Sequence, residues 1–237
     1  MSAWTPKRFW KTATAVACDG GYTVMLDTRQ VKTPGKLPLV LPSLGLARAV
    51  AAEWDAQQGP LKPDTMPFTR GANSAMEKVA PQFDEVVGLL AAYGGTDLLC
   101  YRATGPQELI ARQAAAWDPL LHWAATTLNA PLLATQGIVH IAQTPETTDH
   151  LHAMVAALTP FQIAAFHDLV ALSGSLILAL AVTHGRLTPA EAWDISRIDE
   201  TYQAELWGVD EDAAALAASK CRDFHQAAAF WTLCAPD

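Results

Sequence analysis

The chain has 237 residues, of which 51% are hydrophobic and 17% are charged, a composition typical of a folded protein with a well-filled core. Its formal net charge of −8 argues against a nucleic-acid binder, because such a protein needs Lys and Arg to neutralise phosphates. The four cysteines lack the close spacing of zinc or redox motifs, so we expect free thiols in a reducing compartment, with no metal and no cofactor. They are Cys18, Cys100, Cys221 and Cys234.

The N-terminal third is predicted to be rich in β-structure. Residues 8–16 and 22–27 alternate between apolar and polar side chains on either side of Asp19-Gly20-Gly21, which is typical of a hairpin. A helix is expected over residues 44–57. Several closely spaced prolines follow this helix and indicate a boundary between domains.

The chain after this boundary is predicted to be helical. Three Thr-Pro pairs suit an N-cap followed by the first helical position, and they begin helices at Thr144, Thr159 and Thr188. The helix from Thr159 is expected to run to about residue 184, and Asp210 is expected to begin the last helix. We therefore predict an α+β protein, with a small β-rich N-terminal domain followed by a larger all-helical C-terminal domain. The domains are residues 1–78 and 79–237.

Two segments of this part need separate comment, because their composition fits more than one kind of structure. Residues 137–142 are β-like in composition, but six residues cannot distinguish a strand from other structure. Residues 169–183 form the longest apolar run, and they fall short of the ~20 residues that a membrane span needs. We expect a buried helix there and no stable membrane insertion.

Residues 188–212 have the most unusual pattern in the chain. As one helix, begun by Thr188 and ended by Gly208, this segment would place an aliphatic stripe on one side, facing the core. Trp193, Glu200 and Trp207 recur every seven residues on the opposite side. Two indoles among many carboxylates indicate a recognition surface. Burial of both faces by neighbouring helices is the alternative. The stripe is Ile195, Ile198, Tyr202 and Leu206.

The carboxylates of this segment leave an enzymatic interpretation open. Asp199, Glu200 and Glu205 would serve a carboxylate-based hydrolase or transferase if a buried His or Arg, such as Arg70 or Arg197, lay beside them in a cleft between the two domains. However, the chain contains no HExxH, GxSxG, Walker or Rossmann pattern, so we expect no enzyme activity and no catalytic residue. Arg197 lies three residues from both Asp194 and Glu200, a spacing that predicts ion pairs on the helix surface.

Several segments together carry a family resemblance. The motifs are RFWK at 8–11, LDTRQVKTPGKLPLVLP at 26–42, MPFTRGANSA at 66–75, QAAAWDPLLHW at 113–123 and EAWDISRIDETYQAELWG at 191–208. In this order they resemble the assembly chaperones of the F-type ATP synthase, found in mitochondria and α-proteobacteria. The resemblance implies that the chain holds the α subunit of the catalytic head before α pairs with β, and that it hydrolyses no nucleotide.

The resemblance also implies that the acidic segment near the C-terminus matters for function, through either Glu200 or Glu205. The role of residues 69–73, as a hinge or as a second contact, stays open. We expect a monomer in the bacterial cytoplasm, or in the mitochondrial matrix for a trimmed eukaryotic member. A general holdase is the further alternative function. The residues expected to bind the partner are Trp193, Arg197, Glu200, Glu205, Trp207, Asp210 and Glu211.

Overall fold

The computed structural model describes residues 7–235, which form two compact units. Unit 1 comprises Met1–Phe83, Thr159–Ala165 and Ala229–Asp237, and unit 2 comprises Asp84–Leu158 and Phe166–Ala228. Residues 159–165 and 229–237 therefore belong to the same unit as the N-terminal part. A division of the chain at one position does not describe this arrangement. The boundary between residues 78 and 79 stays a prediction.

Unit 1 contains a three-stranded antiparallel sheet in the order β1-β2-β3. Its strands are β1 (Ala13–Cys18), β2 (Gly21–Leu26) and β3 (Arg29–Gln30). The predicted hairpin is confirmed, with Cys18 opposite Gly21 at its turn. Gly20 has a φ of 82°, which residues with a Cβ rarely adopt, and this explains the glycine in the turn. The N-terminal part is therefore the β-containing part of an α+β fold, as expected.

Two helices complete the first part of unit 1. Helix α1 (Leu44–Asp55) begins at Ser43, whose side chain accepts a hydrogen bond from the amide of Leu46. The Glu53 carboxylate of α1 accepts hydrogen bonds from the amides of Phe68 and Thr69, at the start of helix α2 (Pro67–Ser74). Residues 69–73 therefore lie within a helix that is held at its N-terminus by α1.

The core of unit 1 lies between the sheet, α1 and the returning C-terminal segment. Gly71 of α2 leaves room for the ring of Phe230, because a Cβ at this position would lie 2.8 Å from that ring. The buried side chains include Trp10, Val24, Leu39, Leu41, Leu46, Val50 and Phe230.

The rest of the structure is helical apart from one short parallel pairing of β4 (Tyr101–Arg102) with β5 (Thr135–Gln136). The predicted fold class, with a larger helical C-terminal part, is confirmed, and this pairing is the one β element that the prediction did not include among the described residues. Residues 137–142 form no strand. None of the helices within residues 7–235 is long and apolar enough to cross a membrane. The helices are α3 (Phe83–Ala91), α4 (Gln107–Thr127), α5 (Pro145–Ala156), α6 (Pro160–Ser173), α7 (Leu176–Thr183), α8 (Pro189–Ser196), α9 (Ile198–Trp207) and α10 (Glu211–Leu233).

The single apolar helix expected from Thr159 to residue 184 is two helices, α6 and α7. Gly174 has a φ of 71°, which is outside the helical region, and Ser175 begins α7 by accepting a hydrogen bond from the amide of Leu178. The chain therefore breaks at Gly174 and starts again with a new N-cap. The expected burial is confirmed, since residues 176–181 are all buried.

Asp97 is a fully buried carboxylate that completes the cap of α7. It accepts hydrogen bonds from the Ser175 hydroxyl at 2.8 Å and from the amides of Ile177 and Leu99 at 3.0 Å each. Burial disfavours the charged form and raises the pKa of Asp97 from 3.8 to about 6, although these hydrogen bonds act in the opposite direction. Asp97 therefore joins two parts of unit 2 that are distant in sequence, and its pKa is raised to about 6.

We predict that Asp97 makes unit 2 less stable as the pH rises from 4 to 7. The folded pKa is above the unfolded one, so the folded state binds more protons in this window and loses stability as pH rises through about 6. The shift corresponds to about 3 kcal/mol. Urea unfolding of the wild type and of Asp97→Asn at pH 4, 5.5 and 7 measures it, because the variant lacks this titration. A constant difference between the two proteins across the window would contradict the prediction.

Candidate functional site

The segment singled out by its sequence pattern is two helices rather than one. Thr188 and Glu191 form the expected capping box at the start of α8, and Gly208, with a φ of 90°, ends α9 as expected. However, the helix breaks at Arg197, where the Ser196 hydroxyl donates a hydrogen bond to the Trp193 carbonyl. The predicted single helix is therefore wrong, and the seven-residue spacing does not describe one continuous face.

The break places the two tryptophans in opposite environments. Trp193 is only 7% exposed and packs against Phe224 of α10, with 5.8 Å between the ring centroids. Trp207 is 79% exposed. The expectation of two indoles available to a partner is wrong for Trp193, because that ring is buried against Phe224. It holds for Trp207.

Arg197 and Glu200 form an internal pair beside the buried indole. The Arg197 guanidinium lies 5.7 Å from the centroid of the Trp193 ring and 2.7 Å from the Glu200 carboxylate. The predicted ion pair between Arg197 and Glu200 is confirmed. Both side chains are therefore engaged within unit 2, and Glu200 is about half exposed.

Helix α4 holds α9 in place through side chains of both helices. The buried Gln113 accepts a hydrogen bond from the Ala103 amide and donates one of 2.6 Å to the Asp199 carboxylate. Arg112 forms an ion pair of 2.7 Å with Glu205, and its guanidinium lies 5.1 Å from the centroid of the Tyr202 ring. Asp199 and Glu205 therefore tie α9 to α4.

The contribution of α4 could not be found from the local pattern. Arg112 pairs with Glu108 four residues earlier, which local spacing indicates, but its pairing with Glu205 crosses 93 positions of sequence. Trp117 likewise donates a hydrogen bond of 3.1 Å from its indole to the Ile195 carbonyl. The sequence pattern of α4 indicated only its apolar face. It therefore did not predict that Arg112, Gln113 and Trp117 contact the α8–α9 segment.

Beyond Glu205 the chain exposes an unusual amount of apolar surface. We call residues 206–216, which comprise the end of α9, the turn after it and the start of α10, the α9–α10 corner. Leu206 was predicted to face the core as part of the aliphatic stripe. This prediction is wrong, because Tyr202 is buried but Leu206, four residues later, is exposed. The exposed fractions are 55% for Leu206, 79% for Trp207, 70% for Val209 and 57% for Leu216.

Carboxylates lie close in sequence to these apolar residues. Asp210 caps α10, as predicted, by accepting a hydrogen bond of 2.9 Å from the amide of Ala213. Glu211 and Asp212 follow in the first turn of α10 and are exposed. Negative side chains at a helix N-terminus are favoured by the helix dipole, so these acids also stabilise α10. The corner therefore combines apolar area with negative charge.

The two units differ strongly in charge. Unit 1 contains ten Lys and Arg against seven Asp and Glu, whereas unit 2 contains six against seventeen. Within residues 7–235, no three His, Cys, Asp or Glu side chains are grouped so that they could hold a metal ion. The chemistry offered by unit 2 is therefore that of an acidic surface with an exposed apolar corner, which suits recognition of another protein.

Comparisons with known proteins give a consistent result. Residues 7–125 match the family model described as ATP12 chaperone protein. The crystal structure of Atp12 from Paracoccus denitrificans is 52% identical, with a TM-score of 0.95 over 97% of this chain and 98% of that one. A solved structure from Agrobacterium tumefaciens is 39% identical, with a TM-score of 0.92 over 96% of this chain and 86% of that one. The mitochondrial atp12 protein of Schizosaccharomyces pombe is 27% identical, over 87% of this chain and 75% of the relative.

We predict that Gln113 is required to hold α9 against α4. Replacing it with Leu removes the partners of the Ala103 amide and the Asp199 carboxylate, and it lowers the free energy of unfolding by about 2 to 4 kcal/mol. Urea unfolding measures this loss, and hydrogen exchange of the α9 amides locates it. Gln107→Leu is the matched control, because Gln107 is exposed on the same helix. Equal losses in the two variants would contradict the role of Gln113.

Proposed function

The chain belongs to the ATP12 chaperone family of ATP synthase assembly factors, which are not enzymes, and on this premise we propose that it binds one particular client. That client is the unassembled α subunit of the F-type ATP synthase catalytic head. Binding prevents aggregation of α until it pairs with β. The observation that carries this proposal is Trp207, an exposed indole on an acidic unit of a chaperone-family fold.

The physical need for such a protein follows from the assembly of the catalytic head. An unassembled subunit exposes the apolar surface that its neighbour will cover, and exposed apolar surface leads to aggregation. A protein that binds this state lowers its free concentration by mass action. The same relation requires moderate affinity, because β must displace the chaperone.

The compartment and stoichiometry belong to the proposal. Catalytic heads are assembled in the bacterial cytoplasm or in the mitochondrial matrix, so we propose that the chain acts in one of these. Its relatives include a mitochondrial protein by name and a protein from the bacterium Paracoccus denitrificans. We further propose that it acts as a monomer and binds one α subunit.

The main competing function is that of a general holdase, which would bind many unfolded proteins. Binding of unfolded chains needs apolar surface that accepts varied sequences, and the corner supplies such surface. The carboxylates around Trp207 favour the specialised function, because fixed charges give register and partner selectivity more than they give general affinity.

We predict that the wild-type chain suppresses aggregation of isolated α subunit at a one-to-one ratio and does not suppress aggregation of heat-denatured citrate synthase. Light scattering at 37 °C measures both, and addition of β should release α from the chaperone. Equal suppression of the two clients would favour the general holdase. No suppression of α aggregation would overturn the proposed function.

A second experiment distinguishes a client contact from an internal role for Glu205. Because Glu205 pairs with Arg112, we predict that Arg112→Gln and Glu205→Gln weaken α binding by a similar factor, up to about fivefold, which is the range of an exposed ion pair. Isothermal titration calorimetry measures the affinities. A loss in Glu205→Gln alone would instead show that its carboxylate contacts the client.

The same comparison applies to Glu200. Its partner is Arg197, so Arg197→Gln and Glu200→Gln form the matched pair of variants. Arg197 also lies over the Trp193 ring, and circular dichroism must therefore show that both variants keep the wild-type fold. The two pairs together resolve which carboxylate, if either, meets the client.

A further inference from the structure

The first half of α10 is a helix without a fully buried face. Phe224 is the first buried residue of α10, so the thirteen residues 211–223 contain none that is buried. This stretch is about 20 Å long. A helix at the surface of a globular protein normally buries one apolar stripe. The start of α10 is therefore largely exposed, with Ala217, Ser219 and Cys221 only partly covered.

The sequence explains how this stretch stays helical with little packing. Residues 213–218 read AAALAA, and alanine and leucine have the highest helix propensities. Asp210 caps the helix, and Glu211 and Asp212 lie in its first turn, where negative charge is favourable. Residues from Phe224 onward anchor the other end. The helix is thus formed before any partner arrives, which reduces the entropy that is lost on binding.

We infer that the α9–α10 corner, together with the uncovered start of α10, is the element that docks the client, and that the client's docking surface is apolar at its centre and lined with Lys and Arg. This inference rests on the proposed function for the identity of the client as the α subunit. The corner supplies Trp207 and Leu216 as the main apolar contacts, and buried aromatic residues typically contribute most to binding energy.

Charge complementarity selects the kind of partner. Glu211 and Asp212 lie beside the apolar side chains, and unit 2 as a whole has seventeen acids against six bases. A basic rim on the client would be attracted to these acids, which speeds association and fixes the register of docking. An anionic membrane or a nucleic acid would be repelled by the same field. A protein whose surface carries apolar and basic residues would match both the exposed apolar side chains and the negative charge of unit 2.

The small side chains of α10 add a steric reason. Ala213, Ala214 and Ala215 are exposed and follow the two acids of the first turn of α10. Because they carry only a methyl group, a partner's backbone can approach the α10 axis closely at this level. Trp207 and Leu216 lie before and after them in the chain, and both of these large side chains are exposed.

The test compares variants of the corner with matched variants elsewhere in unit 2. Trp207→Ala should weaken α capture at least about tenfold and Leu216→Ala about threefold or more, because both remove apolar contact area. Leu89→Ala and Ile138→Ala are the controls, since Leu89 is 64% exposed and Ile138 is 96% exposed. They should change the affinity less than about twofold. Surface plasmon resonance with purified α subunit measures all four.

The charged part of the inference has its own readout. The double variant Glu211→Gln/Asp212→Asn should slow association with α at low salt and flatten the dependence of the association rate on salt, while dissociation changes little. Asp149→Asn, at an exposed position of α5, is the control. Asp210 is left unchanged, because it caps α10. An association rate that has the same salt dependence in the double variant and the wild type would overturn the basic rim.

Hydrogen exchange of the wild-type complex gives an independent measurement that does not depend on variants. Amides within residues 206–220 should exchange more slowly when α is bound. If the wild type captures α but the corner is not protected and Trp207→Ala binds as tightly as the wild type, the docking element is overturned and the proposed function stands. If the wild type does not capture α, the proposed function and this inference both fail.

Discussion

The hydrogen bond between Gln113 and Asp199 fixes α9 on α4, and the placement of the surface proposed for docking depends on it. The Gln113 side chain is buried, and its amide satisfies both the Ala103 amide and the Asp199 carboxylate. A buried polar group that lost these partners would be costly, so α9 has little freedom to move away from α4. Arg112 adds an exposed ion pair further along the helix. The end of α9 is therefore presented by a rigid support, although the side chains it presents are uncovered.

Exposed apolar surface is a hazard for any soluble chain, and the charges of unit 2 reduce it. Copies of the chain that meet through their corners bring Glu211 and Asp212 of each molecule together, and like charges repel. The same charges attract a basic client. One set of carboxylates thus opposes self-association and favours the proposed complex, which explains why Trp207 is left exposed next to acids rather than among neutral polar residues.

Local sequence signals predicted the ends of helices well and failed for breaks and burial that depend on distant residues. The capping box of Thr188 and the cap by Asp210 are short-range interactions, and both are present as expected.

The break at Arg197 was not predicted, because no glycine or proline marks it. Trp193 and Trp207 have similar neighbours in sequence, but Phe224, 31 residues further on, covers only Trp193. Asp97 was likewise missed, since its partner Ser175 lies 78 positions away. The sequence therefore predicted the region of the candidate site and its acidic residues, but it did not predict which of the two indoles is exposed.

The separation between buried and exposed residues in this segment has a consequence for release of the client. Trp193 and Tyr202 stabilise the fold, whereas Leu206, Trp207 and Leu216 contribute little to it because they are exposed. The proposed docking surface can therefore be small without weakening the protein. A small surface suits the proposed function, because a client that is held by limited apolar area can be released when its assembly partner binds it. Since the rim charges act mainly on association, they raise the rate of capture without making dissociation much slower. Rapid capture and easy displacement are then properties of one surface, with charge responsible for the first and limited apolar area for the second.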